Sequence, residues 1–146
     1  MPELLQVLYA KGTREGYDKL KRLEALSDES PELYPHLDEF ISMLDSEKYV
    51  IRVRGFRLIC RQARWDTDNR INRSIERVLD FLDDEKPTAV RMGLAALHHL
   101  IDFKPELHEI LKERIQDLDP DRYKDSVSPL ITKDAQKLLD AIAELS

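Results

Sequence analysis

Eight arginines and no lysine lie between residues 52 and 77: Arg52, Arg54, Arg57, Arg61, Arg64, Arg70, Arg73 and Arg77. Only Asp66, Asp68 and Glu76 oppose them, so this window carries +5 and the rest of a chain of formal net charge −6 carries −11. At 100° per residue, Arg54, Arg57, Arg61 and Arg64 fall in one helical stripe about 80° wide. Phe56, Ile59, Cys60 and Ala63 occupy the opposite face. A guanidinium grips a carboxylate or phosphate with two parallel N–H bonds, which an ammonium does less well. The stripe, with Trp65 at its end, is therefore a candidate partner-binding surface for an acidic ligand or peptide. The same residues also suit a ladder of ion pairs between neighbouring helices, with Asp18 facing Arg57. The sequence leaves both readings open.

Other constellations point away from catalysis. His98 and His99 are adjacent, so on a helix they diverge by about 100°, whereas a zinc-binding helix uses histidines at i and i+4. His36 and His108 are distant in sequence, and no metal or cofactor is expected. Asp66, Asp68 and Asn69 suit a helix cap and lack the glycine and terminal glutamate of a calcium loop. Trp65 is read either as an anchor for a helix end or as an exposed aromatic recognition residue. No glycine-rich phosphate loop and no segment suited to a strained serine nucleophile occur. Cys60, the single cysteine, falls on the buried face of its helix; it permits neither an internal disulfide nor a thiolate cluster.

The elements that must position these residues follow a period of about 38. Leu44-Asp45 recurs as Leu82-Asp83, and Gly55 recurs as Gly93 at the same offset. Gly16-Tyr17, followed by Leu20, repeats the pattern upstream. A period of this size built from paired amphipathic helices belongs to helical solenoids, whose units bury their apolar faces only by stacking. A short helix is expected from Pro2 to about Ala10, closed by Lys11-Gly12, with Thr13 capping the next. Ser30 followed by Pro31 restarts a helix that carries Leu33, Leu37, Phe40, Ile41 and Leu44, with Pro35 in its first turn or so. Residues 49–64 form the partner helix. Ile71 to Leu82 reads as the next first helix, and Thr88 caps the helix carrying Val90, Leu94, Leu97 and Ile101. Helices from Pro105 and through Ala135–Ile142 complete the stack. A helix-interior glycine costs about 0.5–1 kcal/mol relative to alanine, so the glycines at one register imply close approach of the two helices of each repeat.

These stretches bear a family resemblance. Arg54-Gly55-Phe56-Arg57-Leu58-Ile59, Trp65-Asp66-Thr67-Asp68-Asn69, Asp84-Glu85-Lys86-Pro87, Lys104-Pro105-Glu106-Leu107 and Tyr123-Lys124-Asp125-Ser126 resemble small bacterial HEAT/armadillo-like repeat proteins, the Firmicutes group sometimes labelled SufBD. The resemblance spans most of the chain from about residue 40. It implies an α–α superhelix and no catalytic residues. A second likeness, to the alkylpurine DNA glycosylases built of HEAT-like helix pairs, implies aromatic, aspartate and arginine residues on a concave basic surface. Trp65, Asp66 and the arginine stripe would be those residues here.

Composition bounds the alternatives. A chain of 146 residues, 36% charged and with four glycines, fits one helix-rich domain over residues 1–146. Its acidic balance disfavours a general nucleic-acid coat, because phosphate-backbone affinity needs many cationic contacts. No apolar run reaches the ~18–20 residues that span a bilayer, and Met1-Pro2-Glu3 does not begin a signal peptide. The expectation is an all-α superhelix of about three and a half helix pairs, cytoplasmic and non-catalytic. It acts as a protein-interaction or scaffold module that takes an acidic partner on its concave face through Arg54, Arg57, Arg61, Arg64 and Trp65. The HEAT-like DNA glycosylase is the alternative.

Overall fold

The structure, a computed structural model, describes residues 6–9 and 14–145. Most of the helix expected from Pro2 to Ala10, its closure at Lys11-Gly12 and the Thr13 cap lie outside those residues; Val7–Tyr9 form a 3-10 turn. The described residues contain helices and no strand. In chain order the α-helices are α1 (Arg14–Glu29), α2 (Leu37–Met43), α3 (Tyr49–Arg61), α4 (Arg70–Arg73), α5 (Ile75–Leu79), α6 (Pro87–Ala96), α7 (His98–Phe103), α8 (His108–Gln116) and α9 (Ser128–Leu145).

Local chemistry sets the boundaries. The Ser30 hydroxyl accepts from the Glu32 N–H at 3.1 Å, and Pro31 takes the first helical position. Pro35 donates no backbone bond, and the segment Pro31–His36 winds as a 3-10 turn before α2 begins. The helix expected over residues 71–82 is two short pieces, broken at Ser74 (φ −107°, ψ 12°), followed by the 3-10 turn Asp80–Asp83. Thr88 does not cap α6. Lys86 holds the cap position with extended backbone, and its N–H donates to Asp84 Oδ1 at 2.9 Å.

α1, α3, α6 and α9 pack side by side in that order, while α2 packs against α3 and α8 against α9. α3 is the centre. Ile51, Val53, Phe56, Leu58, Ile59 and Cys60 are all buried along it, and the Phe56 ring stacks on Phe81 at 4.4 Å between centroids. Each large side chain buried in this way contributes on the order of 1.5–3 kcal/mol.

Two of the three register glycines do what their position implies. A Cβ on Gly55 would lie 2.7 Å from both Met43 Cβ and the Phe40 carbonyl oxygen, so α2 and α3 meet backbone against backbone there. A Cβ on Gly93 would lie 2.7 Å from the Phe81 ring. Gly16 differs: its Cβ would meet the Arg54 guanidinium, 2.8 Å from Nη1, so it clears a path for a side chain of α3.

Candidate binding groove

The outward face of α3 is where the arginine stripe stands. Arg54 is not on it: only 4% of that residue is exposed, and Nη1 donates to the Leu8 carbonyl at 2.7 Å. Burial pushes its pKa down. Its place in a binding surface is therefore corrected, because the α1–α3 seam closes over it. Arg57 holds Glu24 with two bonds, Nε at 3.1 Å and Nη2 at 2.7 Å. Arg61 reaches the same carboxylate at 3.7 Å and Asp28 at 2.5 Å. Arg64 donates to the Asp28 carbonyl oxygen.

The ladder is thus real, but its rungs differ from those expected. Arg57 meets Glu24 at a sequence separation of 33, not Asp18 at 39. Asp18 instead faces Arg14 of its own helix at 3.8 Å, in an exposed pair. α1 is displaced along α3 by more than one turn relative to simple register transfer. The other arginines of the run are also held. Arg52 makes two bonds to Asp84, at 2.8 and 3.1 Å, and Arg70 donates to Asp38 at 2.8 Å. Arg77 pairs with Asp45, and Arg73 donates to the Asp68 carbonyl at 2.8 Å.

Trp65 anchors a helix end: its Nε1 donates to the Ser27 carbonyl at 2.6 Å, and the residue is half-buried. Asp66 is an internal hub. Its carboxylate accepts from the N–H groups of Arg70 and Ile71, each at 2.9 Å, and from Lys104 Nζ at 2.9 Å. The Tyr34 hydroxyl lies 2.5 Å from both Asp66 Oδ1 and Asp68 Oδ1. Burial alone would raise the Asp66 carboxyl, but bonds from Tyr34, Lys104 and Ile71 outweigh it and hold it below the ordinary 3.8. Lys104 Nζ also donates to the Asp66 carbonyl at 2.7 Å and to Asn69 Oδ1 at 3.0 Å. With its side chain 0% exposed, Asp66 has no open face for a substrate. The helix-cap reading is the one its geometry fits.

Across from Arg57 and Arg61, α6 and α7 present residues that the arginine pattern did not single out. Met92, Ala95, Ala96 and His99 complete a cavity of about 230 Å³ with Glu24, Arg57 and Arg61. Met92 and Ala95 also line a second cavity of about 510 Å³ between α6 and α9, with Leu94, His98, Val127 and Lys137 among its walls. Because these two residues are common to both, the cavities adjoin across α6, and together they are called the groove. Arg57, Arg61, Arg91 and Lys137 line it against Glu24 and Asp134, an excess of cations in an acidic chain. Arg91 is paired with Asp134 at 2.7 Å. Their signal in the sequence was the 38-residue transfer itself, which carries Arg54, Arg57 and Arg61 onto Met92, Ala95 and His99.

His98 and His99 open into different cavities. His99 has its pKa pushed below 6.5 by burial and by the Arg61 charge, against the opposing pull of Asp28, Asp102 and Glu24. Cys60 is fully buried and burial pushes its thiol up, which leaves it unreactive. Among the described residues no group of three His, Cys, Asp or Glu side chains could hold a metal ion, and no helix is long and apolar enough to cross a membrane.

Compared with protein-family models, with curated proteins and with solved structures, the chain matches none.

Proposed function

We propose that the chain is a non-catalytic interaction module of the HEAT/armadillo-like type, an α–α superhelix that holds an acidic peptide segment of a protein partner in the groove across α6. The superhelix reading is supported by bonds that join repeat-equivalent positions. Trp65 donates to the Ser27 carbonyl and Lys104 to the Asp66 carbonyl, each across 38 residues, and Tyr123 to the Asp84 carbonyl across 39. Stacked repeats make such bonds because each unit sees its neighbour at a constant offset. A cytoplasmic setting is part of this reading.

The observation that carries the binding proposal is the groove joined at Met92 and Ala95. Met92 is 39% exposed, an apolar floor left in water, and the rim has four cations against two carboxylates. A partner with apolar side chains between acidic ones matches both features, since charge complementarity steers encounter and rejects the wrong sign.

The test uses an end-blocked peptide in which Glu and Leu alternate, and its counterpart with Lys for Glu, each titrated into isotope-labelled protein and followed by NMR. The Glu peptide is expected to shift the resonances of Met92, Ala95 and His99, and the Lys peptide to leave them in place. Ala95→Glu, at an exposed position in the floor, should weaken binding at least tenfold without unfolding the chain. Equal binding of both peptides, or an unaffected A95E variant, would refute the proposal.

A further inference from the structure

The pairing pattern singles out one arginine beside this groove, one turn beyond Arg61. Arg52, Arg57, Arg61, Arg70 and Arg77 are each met by a carboxylate, and Arg54 is buried. Arg73 sits on α4, away from the groove. Arg64 is exposed, one turn beyond Arg61, and its hydrogen-bond acceptor is a neutral carbonyl, that of Asp28. The Asp28 carboxylate is taken by Arg61. Among the described residues, no carboxylate lies within ion-pair distance of Arg64.

Its orientation is nevertheless fixed. The guanidinium lies 4.7 Å over the Phe103 ring and 5.9 Å from that of Trp65. Phe103 stands one turn past His99 on α7 and is 40% exposed, an aromatic face left in water beside an unmatched positive charge. The ring covers one face of the guanidinium and the Asp28 carbonyl takes Nη1, which leaves the remaining N–H groups in the plane to donate to a carboxylate. Holding the fork in place beforehand also lowers the entropy lost on binding.

We propose that Arg64, set over Phe103 beside Trp65 next to the groove, is the carboxylate-anchoring subsite and takes a Glu or Asp side chain of the acidic segment. This rests on the groove reading above. Arg57 and Arg61 then serve as mortar between α1 and α3, and Arg64 supplies the ionic contact with the partner.

Trp65 is the chain's single tryptophan, so its emission reports on the subsite directly. The end-blocked Glu–Leu peptide is titrated into the parent, Arg64→Gln, Arg64→Lys, Phe103→Leu and, as a control outside the groove, Arg77→Gln. The parent should show a saturable change in Trp65 emission. Arg64→Gln should lose at least tenfold in affinity at an unchanged urea midpoint, and Arg64→Lys several-fold, because charge alone does not restore the fork. Arg77→Gln should bind as the parent does. If the parent binds with NMR shifts at Met92 and Ala95 but R64Q retains full affinity, the anchor is overturned and the groove reading stands. If the parent binds neither at Trp65 nor in the groove, both fall. Should R64Q lower the urea midpoint, Phe103→Leu decides: a loss of affinity of several-fold supports the stacked anchor, and parental affinity overturns it.

Discussion

α3 with its 3-10 extension Gln62–Trp65, and α6 with α7, are images of one another 38 residues apart. Gly55 matches Gly93, Arg57 matches Ala95, Arg61 matches His99, Trp65 matches Phe103 and Asp66 matches Lys104. The first helix commits its outward side chains backwards: Arg57 and Arg61 to Glu24 and Asp28, and Trp65 to the Ser27 carbonyl. The second leaves Met92 and Phe103 exposed and His99 half-buried; Lys104 reaches back to Asp66, and the Phe103 ring lies against Arg64. Equivalent backbone positions thus carry ion-paired side chains in one unit and open ones in the next. A groove forms at that step because small or apolar residues face arginines already held in place.

The comparison breaks most severely where both units act alike, at the bond back to the preceding repeat. Lys104 and Asp66 form a pair whose side chains are 4% and 0% exposed. Removing one partner of a buried pair strands the other charge, which typically costs about 3–5 kcal/mol. Lys104→Ala is therefore expected to lose that much in urea unfolding, with a larger drop in midpoint than any of the glycine, arginine or histidine substitutions. A loss below about 1 kcal/mol would mean that the Arg70 and Ile71 N–H groups and Tyr34 suffice to hold Asp66, as for a surface pair.

The glycines sharpen the comparison at an intermediate scale. Gly55→Ala puts a methyl 2.7 Å from the Phe40 carbonyl oxygen and Met43 Cβ, groups fixed by their own helix, so α2 and α3 must part. Overpacking of this kind costs typically about 1–3 kcal/mol. The atoms nearest a Gly16→Ala methyl are the guanidinium end of Arg54, a side chain that can shift, so this variant should cost less than Gly55→Ala in the same denaturation experiment. Equal losses would remove the distinction between a helix–helix contact and a clearance for a side chain.

These cases also show where the sequence was legible. Helix type, the Ser30-Pro31 restart and the shared register of the glycines follow from local chemistry, which propensity and capping express directly. The partners in the ladder do not follow from register transfer, because they depend on how far one helix slides along the next: Glu24 lies on the buried face of α1 with Leu20 and Leu23, whereas Asp18 lies on its exposed face. The burial of Arg54 has the same origin. Helical spacing puts it in the stripe with Arg57 and Arg61, yet the approach of α1 at Gly16 covers it. The groove was hidden for a different reason. A search for charge favours the repeat with the arginines, whereas the open surface lies on the repeat that lacks them.

The smallest effect concerns why the arginine register is not repeated at position 99. A cation there faces Arg61 across a cavity that Glu24 also lines, and burial together with the Arg61 charge lowers the His99 pKa from 6.5. The folded protein therefore keeps His99 neutral to a lower pH than the unfolded chain does. Below 6.5 the unfolded chain takes up a proton that the native state refuses, so stability falls as pH drops towards the folded pKa, and the loss stops growing beneath it. The slope can reach no more than one proton's worth, about 1.4 kcal/mol per pH unit. Urea midpoints measured between about pH 5 and 7 should fall less steeply in His99→Gln than in the parent; Asp66, whose depressed carboxyl titrates below 3.8, stays ionised across that range. Binding should run the other way. Protonated His99 adds a positive charge to the groove while the glutamates of an acidic peptide remain ionised, so the parent's affinity for the Glu–Leu peptide should rise as pH falls through the folded His99 pKa, below 6.5, and that of H99Q should rise less. A pH-independent affinity in the parent would detach His99 from the peptide site and leave it as a packing residue where α7 meets α3.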